Sequence, residues 1–244
     1  MALLFGLIRS MRVFHLQQQR REFVRRPTGD FHGKTVGILG LGGNGITIAK
    51  ALRPMAGRII GTDLFDETLR EFRKAQPDSA IGCIDEIHPP WATDEVLARS
   101  EVIVVALPLT PDTSGYLDSD RLRKAKPGAW IVNVGRGQLV NHDALVESLQ
   151  SGQLAGAALD VTEPEPLPVS SPLWEMDNVI ISPHVGAQSS RRVPSTVNLV
   201  IANLGRWRQG QPLLNLVDKQ LGFPRPEHRL AEEDIRSFVE SAPI

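Results

Sequence analysis

Three short runs in the second half of this chain each carry a side chain of a chemically active type. They are Val-Asn-Val-Gly-Arg-Gly from Val132, Leu-Asp-Val-Thr-Glu-Pro-Glu-Pro-Leu-Pro from Leu159, and Ile-Ser-Pro-His-Val-Gly-Ala from Ile181. They deliver a guanidinium (Arg136), a carboxylate (Glu165) and an imidazole (His184), each from a run that starts on or just after an apolar, strand-like stretch. Strand ends are where doubly wound sheets bind ligands. A fourth run, Gly40-Leu41-Gly42-Gly43-Asn44-Gly45, follows an apolar strand and opens a helix, so it matches G-x-G-x-x-G in the context that pattern requires. A cation, an acid, a titratable ring and a phosphate-cradling turn together suit dehydrogenase chemistry.

In that turn Gly40 permits the tight bend, Gly42 lets a pyrophosphate approach the backbone, and Gly45 lets helix and strand pack closely. The helix N-terminus adds free N–H groups and a partial positive charge. Asp63 ends the second strand, eighteen residues beyond Gly45. A carboxylate there can accept both ribose hydroxyls of adenosine and would repel the 2′-phosphate of NADP, so the expected cofactor is NAD. Two other readings stand beside this one: Asp63 caps the next helix, as Asp66 equally can, or the turn takes another adenosine ligand such as S-adenosylmethionine.

The elements that must position these residues follow from periodicity. Residues 2–25 read as one helix, with Leu3, Leu4, Leu7, Ile8, Met11 and Phe14 at three- and four-residue spacing. After an Arg-Pro-Thr-Gly-Asp loop, βα alternation begins: strand 35–39, helix 45–56, strand 58–62 and helix 66–75. Residues 81–84 read as a weak strand before the extended His88-Pro89-Pro90-Trp91. Then come helix 93–99, strand 101–106, helix 119–125, strand 129–134, helix 142–151, strands 154–159 and 178–182, and a long helix over 187–209. Asn141 reads as an N-cap, and Gly152 as the residue just past that helix. Runs apolar on both faces, such as Val102-Ile103-Val104-Val105-Ala106, belong in a parallel sheet covered by helices. The fold class is therefore α/β, a doubly wound parallel sheet of Rossmann type, preceded by an N-terminal helix that reads either as docked on its own domain or as a helix that once joined a preceding domain. The expected division is 1–30 linking helix and loop, 31–217 dinucleotide-binding domain, and 218–244 a charged, proline-rich tail of little apolar periodicity and partial mobility.

Composition narrows the partners. With 244 residues, 41% hydrophobic and 23% charged, and a formal net charge of -1, the chain has no sequence-wide pull toward nucleic acid or an anionic membrane. Its single cysteine, Cys83, allows no internal disulfide, fits a reducing compartment, and has neighbours that suggest a buried apolar thiol. No metal-ligand spacing occurs, so no metal is expected. The opening Met-Ala-Leu-Leu-Phe-Gly-Leu-Ile lacks a preceding basic segment and is far shorter than a membrane span, and the expected location is cytoplasmic.

Several dispersed motifs in the right order, including Ala106-Leu107-Pro108-Leu109-Thr110-Pro111-Asp112-Thr113, make residues 34–215 resemble the D-isomer-specific 2-hydroxyacid dehydrogenases. That family includes phosphoglycerate dehydrogenases and glyoxylate/hydroxypyruvate reductases. The resemblance implies an active site at Arg136, Glu165 and His184. Arg136 would hold a carboxylate with two parallel hydrogen bonds and polarise the carbonyl of a 2-oxo acid. His184 would be the acid in reduction and the base in oxidation, and Glu165 would orient its ring and favour its protonated form. Glu163 also precedes a proline and is the rival carboxylate, but the family motif places the acid five residues after Asp160. By resemblance Asp160 lies beside the nicotinamide, and Pro108, Val134 and Gly186 are further cofactor contacts. Asn44 departs from the apolar residue usual before the third glycine, which bears on helix packing and on the pyrophosphate geometry.

Each residue of the triad also has a plain structural reading: a surface cation in a Gly-Arg-Gly turn, a charge in a proline-rich loop, a hydrogen-bonded histidine at a strand end. Family members carry an additional N-terminal substrate domain, nothing like it precedes Met1, and the first helix resembles the helix linking the two domains. Met1 therefore reads as an internal methionine of a longer ancestor. The leading expectation is an NAD-dependent dehydrogenase of a small 2-oxo or 2-hydroxy acid; the alternative is a noncatalytic NAD-binding sensor or dimerisation module. The apolar stripe of the first helix, with no second domain to cover it, leads to the expectation of a homodimer.

Overall fold

Strands that are apolar on both faces need cover on both, and the computed structural model, which describes residues 1–230 and 237, supplies it. Among the described residues one parallel sheet forms from β1 (Thr35–Leu39), β2 (Arg58–Thr62), β3 (Glu86–His88), β4 (Val102–Val105), β5 (Ala129–Asn133), β6 (Leu154–Leu159) and β7 (Val179–Ile181). Its order is β3-β2-β1-β4-β5-β6-β7, with every neighbouring pair parallel. The order reverses between β1 and β4. That is the crevice where such sheets take ligands.

Alternation along the strands divides the core in two. Ile103 and Val105 of β4, Ile131 of β5 and Leu159 of β6 face one way, onto α5 (Thr93–Arg99), α6 (Ser119–Lys124) and α7 (His142–Gln150). Val102 and Val104, Val132 and Ala158 face the other way, onto α1 (Ala2–Ile8), α3 (Gly43–Leu52) and α4 (Asp66–Ala75). The Asn141 side chain caps α7 by accepting from the Ala144 N–H at 3.0 Å, and Gly152 follows it with φ 77°, both as expected.

The chain forms two compact units, 1–183 and 184–244. The second contains α8 (Arg192–Arg208), where the expected helix 187–209 starts five residues late, and its third residue, Pro194, falls in the first turn where no N–H is required. The Asn203 amide clasps Leu214 after α8, donating to its carbonyl at 3.1 Å and accepting from its N–H at 2.8 Å.

Two other expectations are corrected. The single helix over 2–25 is two, α1 and α2 (Met11–Gln19), because Ser10 turns left-handed (φ 54°) and the Ile8 carbonyl accepts from the Gly29 N–H at 3.0 Å instead of continuing the helix. Residues 81–84 are not a strand: a 3₁₀ turn spans Ala80–Cys83 and pairing begins only at Glu86, leaving Cys83 half-buried. Local pairing forms at the start of the charged, proline-rich tail. β8 (Val217–Asp218) pairs antiparallel with β9 (Phe223–Pro224), and the Asp218 carboxylate accepts from the N–H groups of Gln220 and Leu221 and from Arg225 Nε. A 3₁₀ turn follows at Pro226–His228, and the tail beyond Leu230, residue 237 apart, lies outside the described residues.

The reasoning behind the dimer expectation also changes. Leu4, Leu7 and Ile8 are buried on the unit's own sheet, against β5, β6 and β7, so the stripe of α1 is already covered.

Candidate active site

The β1–α3 turn assigns its glycines different tasks. Gly40 bends back with φ 93°, donates to the Thr62 carbonyl at 2.9 Å, and has no room for a side chain, since a Cβ would lie 2.8 Å from the Ala106 carbonyl oxygen. Gly45 packs α3 onto the turn, where a Cβ would stand 2.0 Å from the Gly40 carbonyl oxygen. At Gly42 and Gly43 a Cβ would meet nothing within 4 Å. Gly42 is the N-cap of α3, no side chain caps it, and the first turn carries no acid. Open space in front of bare backbone N–H groups fits a pyrophosphate. Asn44, the departure from the family pattern, is exposed in the first turn of α3 and takes no part in helix–sheet packing.

Asp63 is buried at the end of β2. Its Oδ2 accepts from the Leu41 N–H of the glycine turn and its Oδ1 from the Phe65 N–H, each at 2.9 Å. The carboxylate therefore braces the turn and the approach to α4 together. Its oxygens have about four acceptor positions, so capacity is left for ribose hydroxyls.

The remaining residues leave the same edge of the sheet. Pro108 lies in the turn after β4, laced by the Thr113 hydroxyl, which donates to the Pro108 carbonyl at 2.7 Å. Val134 continues β5, its N–H on the Val105 carbonyl at 3.1 Å. Arg136 is exposed, held by a buried side chain absent from the expected site: Asn133 Nδ2 donates to the Arg136 carbonyl at 2.9 Å while its Oδ1 accepts from the Gly135 N–H at 3.0 Å. The signal for it is visible in the sequence as an Asn ending a strand just before Gly-Arg-Gly.

Asp160, buried after β6, accepts at Oδ1 from the Ser182 hydroxyl at 2.5 Å, a second partner that the motifs did not single out. Five residues on, Glu165 is exposed, whereas Glu163 turns its Oε2 into the protein. Gly137 and Thr162 bring the two loops together, since a Cβ on Gly137 would lie 1.9 Å from the Thr162 carbonyl oxygen. The first unit thus gathers Gly40, Gly42, Gly45, Asp63, Pro108, Val134, Arg136, Asp160 and Glu165 at one sheet edge. His184 and Gly186 belong to the second unit, where His184 is the first residue, exposed and left-handed at φ 53°.

Among the described residues no helix is long and apolar enough to cross a membrane, and no group of three or more His, Cys, Asp or Glu is placed to hold a metal ion.

Comparison with known proteins agrees with this architecture. A glyoxylate reductase/hydroxypyruvate reductase of Homo sapiens is 40% identical over 180 residues, 73% of this chain and 51% of the relative. A glyoxylate reductase of Pyrococcus furiosus is 34% identical over 192 residues, 79% of this chain and 53% of the relative. The chain spans about half the length of these relatives. Among solved structures, a D-isomer specific 2-hydroxyacid dehydrogenase of Xanthobacter autotrophicus in complex with NADPH and MES aligns with TM-score 0.75 at 33% identity, over 91% of this chain and 66% of that one. An NADPH-dependent glyoxylate/hydroxypyruvate reductase of Sinorhizobium meliloti, in complex with NADP and sulfate, aligns with TM-score 0.75 at 30% identity, over 90% and 66%. The sequence model of the D-isomer specific 2-hydroxyacid dehydrogenase NAD binding domain matches residues 1–186, and the chain belongs to that family.

Proposed function

We propose that this chain binds NAD(H) and carries the chemistry of an oxidoreductase acting on a small 2-oxo or 2-hydroxy acid of D configuration. The observation that carries this reading is the gathering of the glycine turn, Asp63, Asp160, Arg136 and Glu165 at one edge of one sheet, in a member of this family. Bound nicotinamide supplies the hydride. Arg136 binds the substrate carboxylate and polarises its carbonyl, since a planar guanidinium offers two parallel N–H donors. By family resemblance His184 is assigned as the acid in reduction and the base in oxidation, and Glu165 as the carboxylate of the catalytic set.

Asp63 argues for NAD(H), although the Xanthobacter and Sinorhizobium structures contain NADPH and NADP. Its carboxylate faces the site of an added 2′-phosphate. The test is NADH binding by fluorescence titration, followed by NADH consumption with glyoxylate and with hydroxypyruvate. Tight NADH binding without turnover of either would favour the noncatalytic sensor or dimerisation module.

A homodimer remains part of the proposal, now on different grounds. Val193, Val197, Val200, Leu204 and Trp207 of α8 are exposed at alternating four- and three-residue spacing, the pattern of a helix that packs on another helix. A two-fold partner buries both copies at once. Light scattering should give a dimeric mass that Leu204→Glu lowers to the monomer; a monomeric unmodified protein refutes it. The cytoplasmic location is retained as a proposal from the lone Cys83.

A further inference from the structure

Glu163 stands two residues before Glu165 and is directed differently. Its Oε2 is shut off from solvent and has no hydrogen-bond partner. Glu163 borders a cavity of about 10 Å³ whose polar lining also includes Asn133, His142 and Thr162. That volume accommodates about one water molecule. The cavity sits between the two loops of the candidate site: Asn133 and Gly137 bracket Arg136, whereas Thr162 and Glu163 lead into Glu165.

A carboxylate oxygen removed from bulk water is costly unless a hydrogen bond replaces what it lost. A water-sized cavity that brings Asn133, His142 and Thr162 next to Glu163 within an otherwise apolar lining offers an ordered water the polar partners it needs. We propose that Glu163 holds one ordered water in this cavity and that the water ties the Glu165 loop to the Arg136 turn. Glu163 Oε2 accepts one hydrogen of the water, and the polar groups of Asn133, His142 and Thr162 supply its other partners. Asn133 has the capacity: one Nδ2 hydrogen and one Oδ1 lone pair remain beyond its bonds to Arg136 and Gly135. Glu163 is then a positioning residue, and the inference rests on the reading of Arg136 and Glu165 given above.

Two measurements test it without requiring turnover. A crystal structure that shows ordered solvent should place a water within about 3.2 Å of Glu163 Oε2; protein atoms filling the cavity, or the carboxylate turned out to solvent, overturn the proposal. Amide hydrogen exchange of Gly135, Leu139 and Val140, whose N–H groups bond within the Arg136 turn, reads the tie directly. Glu163→Leu roughly keeps the volume but removes the acceptor, and should speed their exchange several-fold at an unchanged thermal midpoint. Glu163→Gln keeps a carbonyl acceptor and should exchange like the unmodified protein. Exchange unchanged in the Leu variant, or equally fast in both variants, overturns the proposal. Absence of turnover in the unmodified protein would count against the proposed function and leave this result standing.

Discussion

Asn133 and Arg136 are joined side chain to backbone, the amide nitrogen of the buried Asn133 donating to the Arg136 carbonyl at 2.9 Å. The same side chain accepts from the Gly135 N–H at 3.0 Å, so one residue fixes both ends of the turn that presents the guanidinium. Asn133→Ala leaves the buried Gly135 N–H without its acceptor and the Arg136 carbonyl with the Leu139 N–H alone, and should lower stability by about 1–3 kcal/mol. Urea denaturation checks the stability. In a protein that turns over a 2-oxo acid, a higher KM with little change in kcat would show that the turn serves substrate binding.

Asp63→Ala should narrow the preference for NADH over NADPH, because it removes the charge opposed to the extra phosphate. It should also weaken NADH itself, since the Leu41 N–H of the glycine turn loses its acceptor. Parallel titrations with both cofactors decide this. Equal affinities for the two in the unmodified protein would show that Asp63 acts only as a brace.

His184→Ala should reduce kcat by about 10²–10⁴-fold at saturating substrate, the usual worth of positioned proton transfer. Arg136→Ala should raise KM as well, as it removes the carboxylate clamp. Steady-state kinetics with glyoxylate separates the two; an undiminished kcat for the His184 variant would remove the imidazole from the mechanism.

Glu86 gives a pH dependence remote from the site. Bidentate hydrogen bonds from Arg99, with further help from His88 and Arg58, hold its carboxyl down to about 2. A depressed folded-state pKa means stability that is present above the ordinary value of 4.5 and lost as pH falls toward 2. Glu86→Gln should therefore cost about 1–2 kcal/mol at pH 7, with the difference shrinking below pH 4.5. Thermal melts of both proteins from neutral to acid pH check the trend.

The doubly wound sheet was legible because β4 is apolar at every position and β1, β5 and β6 at nearly every one, and strands apolar on both faces call for helices on both faces. The break at Ser10 was not legible, since periodicity continues through it. Its cause is a bond from Gly29, far away in sequence. The cover of the α1 stripe was left open between its own domain and another for a similar reason: an apolar face states that it must be buried, not against what. β3 escaped notice because only Ile87 of its three residues is buried and its pairing with β2 supplies the rest.

By itself the sequence determined which chemical groups leave the strand ends, because Arg136, Glu165, Asp63 and the glycines lie in short runs whose meaning depends only on near neighbours and on the strand before them. Only the tertiary structure decided what holds those groups. Ser182 on Asp160 and the contact of Gly137 with Thr162 join segments brought side by side by the sheet order. It also separated the two carboxylates, with Glu165 exposed and Glu163 directed inward. Local pattern specifies which residues each strand presents, but a hydrogen bond or cavity wall requires both sides, and for these the second side comes from another strand.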